Sequence, residues 1–184
     1  RVLAYNNLWP LWVGISSPER AKTVIERHIL NDDKFRSPYG IRSMAKSESH
    51  YNNMLSGYIN PMAGSPQYGA VEYTTSSNWQ GPVWAPSTYC AVFALKRYGY
   101  ADEARAIAER FLRFLAEALE RDGGYYENYN AETGEGLIQL GIGSWFMMMD
   151  RLLDDEDVFP CVGANRDREY RDASCTLTSR RPVA

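Results

Sequence analysis

The sequence predicts an all-α fold, a two-layer helical toroid built from αα-hairpins. Stretches with a 3.6-residue apolar period run over residues 18–29, 84–98 and 101–121. Amphipathic stretches alternate with nearly all-apolar ones, as an outer and an inner layer of helices require. Two long aromatic loops, 34–82 and 122–137, fall at alternate junctions, which puts them on one rim.

Each element has a local reason. Residues 3–13 (LAYNNLWPLWV) read as the last turns of a buried helix strained by Pro10. The next helix opens with Ser17 as N-cap, Pro18 at the first helical position and Glu19 at the positive end of the dipole. Its apolar face is Ala21, Val24, Ile25, His28 and Ile29, and Asn31-Asp32-Asp33 stops it. Residues 34–82 lose the helical period beyond a possible turn near 49–55, yet they carry too many Tyr and Trp for a solvated linker. A helix from Trp84 to Tyr98 has Pro86 in its first turn and Gly99 as its stop. The stripe of the helix at 101–121 is Ala104, Ile107, Ala108, Phe111, Leu112, Leu115, Ala118 and Leu119, with Glu109–Arg113 and Glu117–Arg121 paired outside. A last helix over 140–153 is apolar nearly all round and belongs inside, its Met cluster serving as core. Residues 154–184, with an acidic run and then Arg-rich aperiodic sequence, read as a tail open to disorder.

Composition narrows the function. The chain has 184 residues, a net charge of -3, 45% hydrophobic and 23% charged residues, close to an ordinary globular protein. A weakly acidic balance without a basic run argues against nucleic acid, and no apolar stretch is long enough to span a membrane. Three scattered cysteines and two histidines make neither a disulfide framework nor a metal centre, so no cofactor and no metal is expected. The chain begins at Arg1 within an apolar helical stretch, and the expectation is a sequence that starts mid-protein. Aromatics are 13%, with five Trp and thirteen Tyr, many outside the helices.

Two loop motifs could carry chemistry. The first is Ser77-Asn78-Trp79-Gln80-Gly81-Pro82-Val83-Trp84. A Gly-Pro turn between Trp79 and Trp84 fixes both rings, and Gln80 adds an amide. This composition suits a sugar subsite, with rings for the C–H face and an amide for hydroxyls. It equally suits a Trp-stapled helix cap. The second is Gly123-Gly124-Tyr125-Tyr126-Glu127-Asn128-Tyr129-Asn130, continuing to Glu135. Glu127 is an acid amid tyrosines; burial would raise its pKa and tyrosine donors would lower it. Such a carboxylate can activate a water as general base, or merely tie the loop to tyrosine hydroxyls. Glu132, on the same loop, is the control acid: Glu132→Gln is expected to be near neutral in kcat and KM.

These residues resemble a known family. Asn78-Trp79-Gln80-Gly81-Pro82-Val83-Trp84, followed by Tyr126-Glu127-Asn128-Tyr129-Asn130 and Thr133-Gly134-Glu135, resembles the C-terminal part of six-hairpin, (α/α)6-barrel glycosidases, nearest to glycoside hydrolase family 63 of the mannosyl-oligosaccharide glucosidase and mannosylglycerate hydrolase types. Trehalases are similar. Ser37-Pro38-Tyr39-Gly40-Ile41-Arg42-Ser43 also looks like this family's loop. The resemblance implies an inverting hydrolysis of an α-glycosidic bond with Glu127 as general base. It implies a substrate-binding set of Trp79, Gln80, Trp84, Tyr39 and Tyr126, although many relatives carry Arg where Gln80 stands. The family's general acid, an Asp on an earlier hairpin, has no matching motif and is expected upstream of Arg1.

The expected domain organisation is therefore a partial catalytic domain over 1–153 and a tail over 154–184. About five helices are legible, a little under half of what six hairpins need, so a fragment is expected whose partners are a carbohydrate and the remaining hairpins of the barrel. Two other readings compete: an inactive sugar-binding relative, and a helical scaffold in which the aromatic loops only pack.

Overall fold

Helices hold most of the chain, and the computed structural model describes residues 2–53, 79–137, 144–153 and 155. The elements named below are those of the described residues; the sequence expectations for 54–78, for the first turn of the last helix (140–143) and for the tail beyond 155 lie outside them.

A 3-10 turn, Tyr5–Leu8, runs into α1 (Trp9–Trp12). Only Leu8 and Leu11 of this stretch are buried, while Trp9 and Val13 are about half exposed at 48% and 53%. The expected buried helix is thus a short surface element. Pro10 lies within the first two positions of α1, where a missing N–H leaves no helical bond unmade, so it starts the helix instead of straining it. α2 (Pro18–Val24) follows and continues as a π-helical turn, Ile25–Ile29. Ser17 occupies the N-cap position in extended conformation, but its hydroxyl makes no cap hydrogen bond.

The stretch after 34 is not wholly irregular. β1 (Arg36–Ser37) and β2 (Gly40–Ile41) form an antiparallel hairpin with Arg36 opposite Ile41 and Ser37 opposite Gly40. The first turn of α3 (Ala85–Arg97) is sewn to β2. The buried Thr88 hydroxyl accepts from the Ile41 N–H at 3.0 Å, and the Ser87 hydroxyl donates to the Ile41 carbonyl at 2.6 Å. Ala85, Ser87, Thr88, Cys90, Ala91, Val92, Ala94 and Leu95 are all buried, so α3 is the inner helix and its small residues admit close neighbours.

α4 (Ala101–Asp122) packs on α3 and keeps a charged outer face. Its buried stripe is Ala104, Ile107, Ala108, Phe111, Phe114, Leu115 and Ala118. Phe114 replaces Leu119, which is 41% exposed, because the Phe114 ring is taken up by loop tyrosines rather than by another helix. Arg121, expected to pair with Glu117, bonds Asp122 at 2.7 Å. α4 stops at Gly123, whose φ of +72° is the left-handed conformation that ends helices. A 3-10 turn, Ser144–Phe146, leads into α5 (Met147–Leu153), where Phe146, Met149 and Leu152 are buried. Just past the expected boundary at 153, Asp155 accepts from Lys96 of α3 at 2.6 and 2.7 Å.

Candidate functional site

A narrow ladder of backbone bridges joins the loops at one end of the helices. Val83 exchanges both hydrogen bonds with Tyr129, at 2.8 and 3.0 Å. Further bridges pair Arg42 with Val83 and Tyr129 with Gly136. Ser43 N–H donates to the Pro82 carbonyl at 3.0 Å, and Gly81 N–H to the Ser43 hydroxyl at 3.1 Å. Val83 is fully buried and Tyr129 nearly so, and buried backbone groups must be paired, which is why these loops knit together. Trp84 follows Val83 by one residue and Glu127 precedes Tyr129 by two, so in the antiparallel bridge both segments run to the same side of the bridged pair.

The rings form two clusters. Trp79 stacks on Trp84 at 3.7 Å and on Tyr5 at 5.0 Å, and Trp145 meets both indoles edge-on at 6.4 Å. Trp84 is 1% exposed, so its ring lies beneath Trp79 and offers almost no surface. Trp145, by contrast, is 37% exposed. Neither Tyr5 nor Trp145 was singled out from sequence, since both stood in stretches read as buried helix. The second cluster runs from Tyr39 over Phe114 (4.9 Å) to Tyr129 (4.9 Å) and Tyr126 (6.0 Å). Tyr39 also lies against Gly134, and Tyr126 lies so close over Gly136 that no side chain fits there. Gln80 is half-buried, and its carbonyl accepts from the Asn52 N–H at 2.7 Å.

Glu127 is half-buried. Among the described residues no donor bonds its carboxyl, and burial pushes its pKa above the ordinary glutamate value. The neighbouring tyrosines make other contacts: the Tyr129 hydroxyl accepts from the Tyr126 N–H at 3.0 Å, and Tyr125 stacks on Phe146 at 4.6 Å.

The loop-tying role falls to Glu132 instead. Its carboxylate accepts from Arg42 at 2.6 Å, from the Tyr51 hydroxyl at 3.0 Å and from Lys46 at 3.1 Å. Burial alone would raise the Glu132 pKa, but these donors outweigh it and hold the carboxyl below the usual range. No local signal reveals the pair, because Arg42 and Glu132 stand 90 residues apart.

A cleft of about 440 Å³ on the flank of this network is lined by Asp32, Arg36, Arg42, Lys46, Arg110 and Glu132, and by none of Trp79, Trp84 or Glu127. Charges of both signs line it and largely pair with one another, so the aromatic rim is the better candidate for a sugar. Among the described residues no group of three or more His, Cys, Asp or Glu side chains converges, and no helix is long and apolar enough to cross a membrane.

Residues 2–146 match the family described as the mannosylglycerate hydrolase MGH1-like glycoside hydrolase domain. The chain belongs to this family. It is 40% identical over 136 residues to the mannosylglycerate hydrolase of Rubrobacter radiotolerans, covering 74% of this chain and 25% of that protein. Its fold resembles the glycoside hydrolase family 63 mannosylglycerate hydrolase of Thermus thermophilus in complex with glucose, at TM-score 0.55 and 21% identity, over 82% of this chain and 30% of that one. The neutral trehalase Nth1 of Saccharomyces cerevisiae is a similar neighbour, at TM-score 0.55 and 19% identity, over 89% and 26%. The fold class is accordingly that of the (α/α)6 glycosidase barrels. The chain spans no more than about a third of the length of any of these three relatives.

Proposed function

We propose that the chain forms the C-terminal portion of an inverting glycoside hydrolase that acts on an α-glycosidic bond. Glu127 is the proposed general base, taking a proton from the water that attacks the anomeric carbon. One observation carries this reading: Glu127 is a half-buried carboxylate without a bonded donor among the described residues, on a loop bridged to the Trp79 motif. A raised pKa increases basicity, provided the working pH keeps the group ionised. Glu132 and Asp122 are committed to arginines, and neither is available as a base.

The proposed sugar contacts are Trp79, Gln80, Tyr39 and Tyr126, with Trp84 supporting Trp79 from beneath. Residues 1–153 make up the catalytic portion in this reading. The acid that protonates the leaving oxygen comes from hairpins outside residues 1–184, in keeping with a chain that spans a quarter of the Rubrobacter protein. Inverting geometry requires the two carboxyl groups ~6.5–9.5 Å apart, with room for the water between them. Trp9, Val13 and Ile15, the last 78% exposed, offer apolar surface to those hairpins.

The test uses the full-length protein with mannosylglycerate and trehalose as substrates. Turnover of either, with NMR showing the inverted anomer released first, is the expected result. Glu127→Gln should lower kcat by roughly 10²–10⁴ with little change in KM. Retention of the anomeric configuration, or near wild-type kcat in Glu127→Gln, overturns the proposal. Sugar binding without turnover in the wild type would favour an inactive sugar-binding relative.

A further inference from the structure

We propose that Arg42 and Glu132 are positioning residues that set the place of Glu127, an inference that rests on the reading of Glu127 as general base. Arg42 is 2% exposed, and its guanidinium reaches two parts of the chain at once. Nη2 and Nε donate to Glu132 Oε1 at 2.6 and 3.1 Å. Nη1 donates to the carbonyls of Asp32 (2.9 Å), Lys34 (3.3 Å) and Arg36. The Arg42 backbone meanwhile bridges Val83, the residue that carries the Tyr129 bridge. One residue therefore ties together residues 32–36, Val83 and the turn that carries Glu132.

The far side of the turn is equally fixed. Asn130 is buried, and its side-chain oxygen accepts from the N–H groups of Glu132 (2.9 Å) and Thr133 (3.1 Å). Asn53 meets it from across the chain, donating to Asn130 Oδ1 at 2.5 Å and accepting from the Ala131 N–H at 2.7 Å. The turn is closed on itself by Asn130 N–H to the Glu135 carbonyl at 2.8 Å. Glu127 lies just upstream and its own carboxyl is bonded by no donor among the described residues. Its place is therefore decided by the loop that carries it.

The pair contributes only modestly to stability, since Glu132 is 37% exposed and solvent screens it, while the buried Arg42 carries a desolvation cost. Direction comes from the set of donors: two guanidinium N–H groups converge on Oε1 while Lys46 holds Oε2, so both oxygens of the carboxylate are placed.

The experiment uses the full-length protein and whichever of mannosylglycerate or trehalose it hydrolyses. Arg42→Lys keeps the charge and loses the fork; Glu132→Gln keeps the shape and loses the ion pair. Each should fold, hold KM within about twofold, and lower kcat by roughly 10–100-fold, the scale expected of a group displaced by about an ångström. The acid limb of the kcat–pH profile should move to lower pH, because a loosened loop admits water to Glu127 and relaxes its raised pKa. The double variant should lose no more than either single one, as members of one unit do. If these variants fail to fold, Tyr51→Phe decides: it removes one donor to Glu132 and should give a smaller loss of kcat with the same direction of limb shift. Glu127→Gln is run alongside. Unchanged kcat in Glu127→Gln defeats the base assignment itself. A collapse in Glu127→Gln with unchanged kcat and acid limb in the folded Arg42, Glu132 or Tyr51 variants defeats the positioning inference alone.

Discussion

Glu127 and Glu132 lie five residues apart on one loop and meet opposite environments. Burial without a partner raises the first carboxyl, while Arg42, Lys46 and Tyr51 overcome burial to lower the second. Their effects on stability must therefore have opposite signs. A raised folded pKa means that the contribution of Glu127 is fully present below the unfolded value near ~4.3 and is lost as pH rises through the folded value. Glu127→Gln fixes the neutral form, so at pH 7 the full-length variant should melt above wild type, with the gap vanishing toward pH 4. Glu132 has a depressed folded pKa, so its contribution is present at neutral pH and lost as pH falls through that value. Glu132→Gln should cost about 1–2 kcal/mol at pH 7, discounted for its partial exposure, which is a Tm lower by a few degrees. Thermal melts of both variants at pH 4 and pH 7 check the pair of signs. Melting in the same direction at pH 7 would show that the two carboxylates are not held as described.

At the scale of elements, the turn at 130–135 and the bridge ladder frame the loop that carries Glu127, the proposed base. Gly134 has a φ of +74°, and a Cβ there would come within 2.7 Å of the Tyr39 ring. Gly134→Ala combines left-handed strain with a clash and should destabilise by about 1–3 kcal/mol. Because this turn adjoins Glu127, kcat should fall as well. Gly99→Ala serves as the comparison: it carries similar strain at φ +87° but meets nothing within 4 Å, so its Tm should fall less and its kcat should hold. Differential scanning of both, with kcat measured on each, tests the turn. Equal losses of kcat would remove the turn from any role in placing Glu127. The helices of this region were legible locally: the periods at 18–29 and 101–121 recur in the structure, with Phe114 buried in place of Leu119 and with Val24, His28 and Leu112 half-buried at the edges of their faces. The hairpin at 36–41 was not legible, because two-residue strands leave no period to read.

At the scale of the molecule, the chain resembles less than a third of each barrel it matches structurally, and its exposed Trp9, Val13 and Ile15 add apolar area to the surface. Residues 1–184 alone should show no turnover of mannosylglycerate or trehalose. Positioned acid catalysis contributes typically 10²–10⁴-fold, and the proposed acid lies elsewhere. An aryl glycoside with a good leaving group, assayed in parallel, is expected to give at most weak turnover. Robust hydrolysis of either natural substrate would place an acid within this chain, with Glu48 and Glu72 as the first residues to examine.

The sequence by itself determined the helical fold class, the outer character of α4 and the two motifs that resemble family 63. These are local properties, written in periodicity, capping and short runs of residue types. The inner character of α3 came only with the burial of its residues in the fold. Only the tertiary structure decided that Trp84 lies buried beneath Trp79, that Tyr5 and Trp145 join the same cluster, and that the loop is anchored by Glu132 rather than by Glu127. Each of these depends on which distant segments meet. Arg42 finds Glu132 across 90 residues because a buried guanidinium must be fully bonded wherever the fold places it, and the segments that meet it there are selected by the packing of the whole chain.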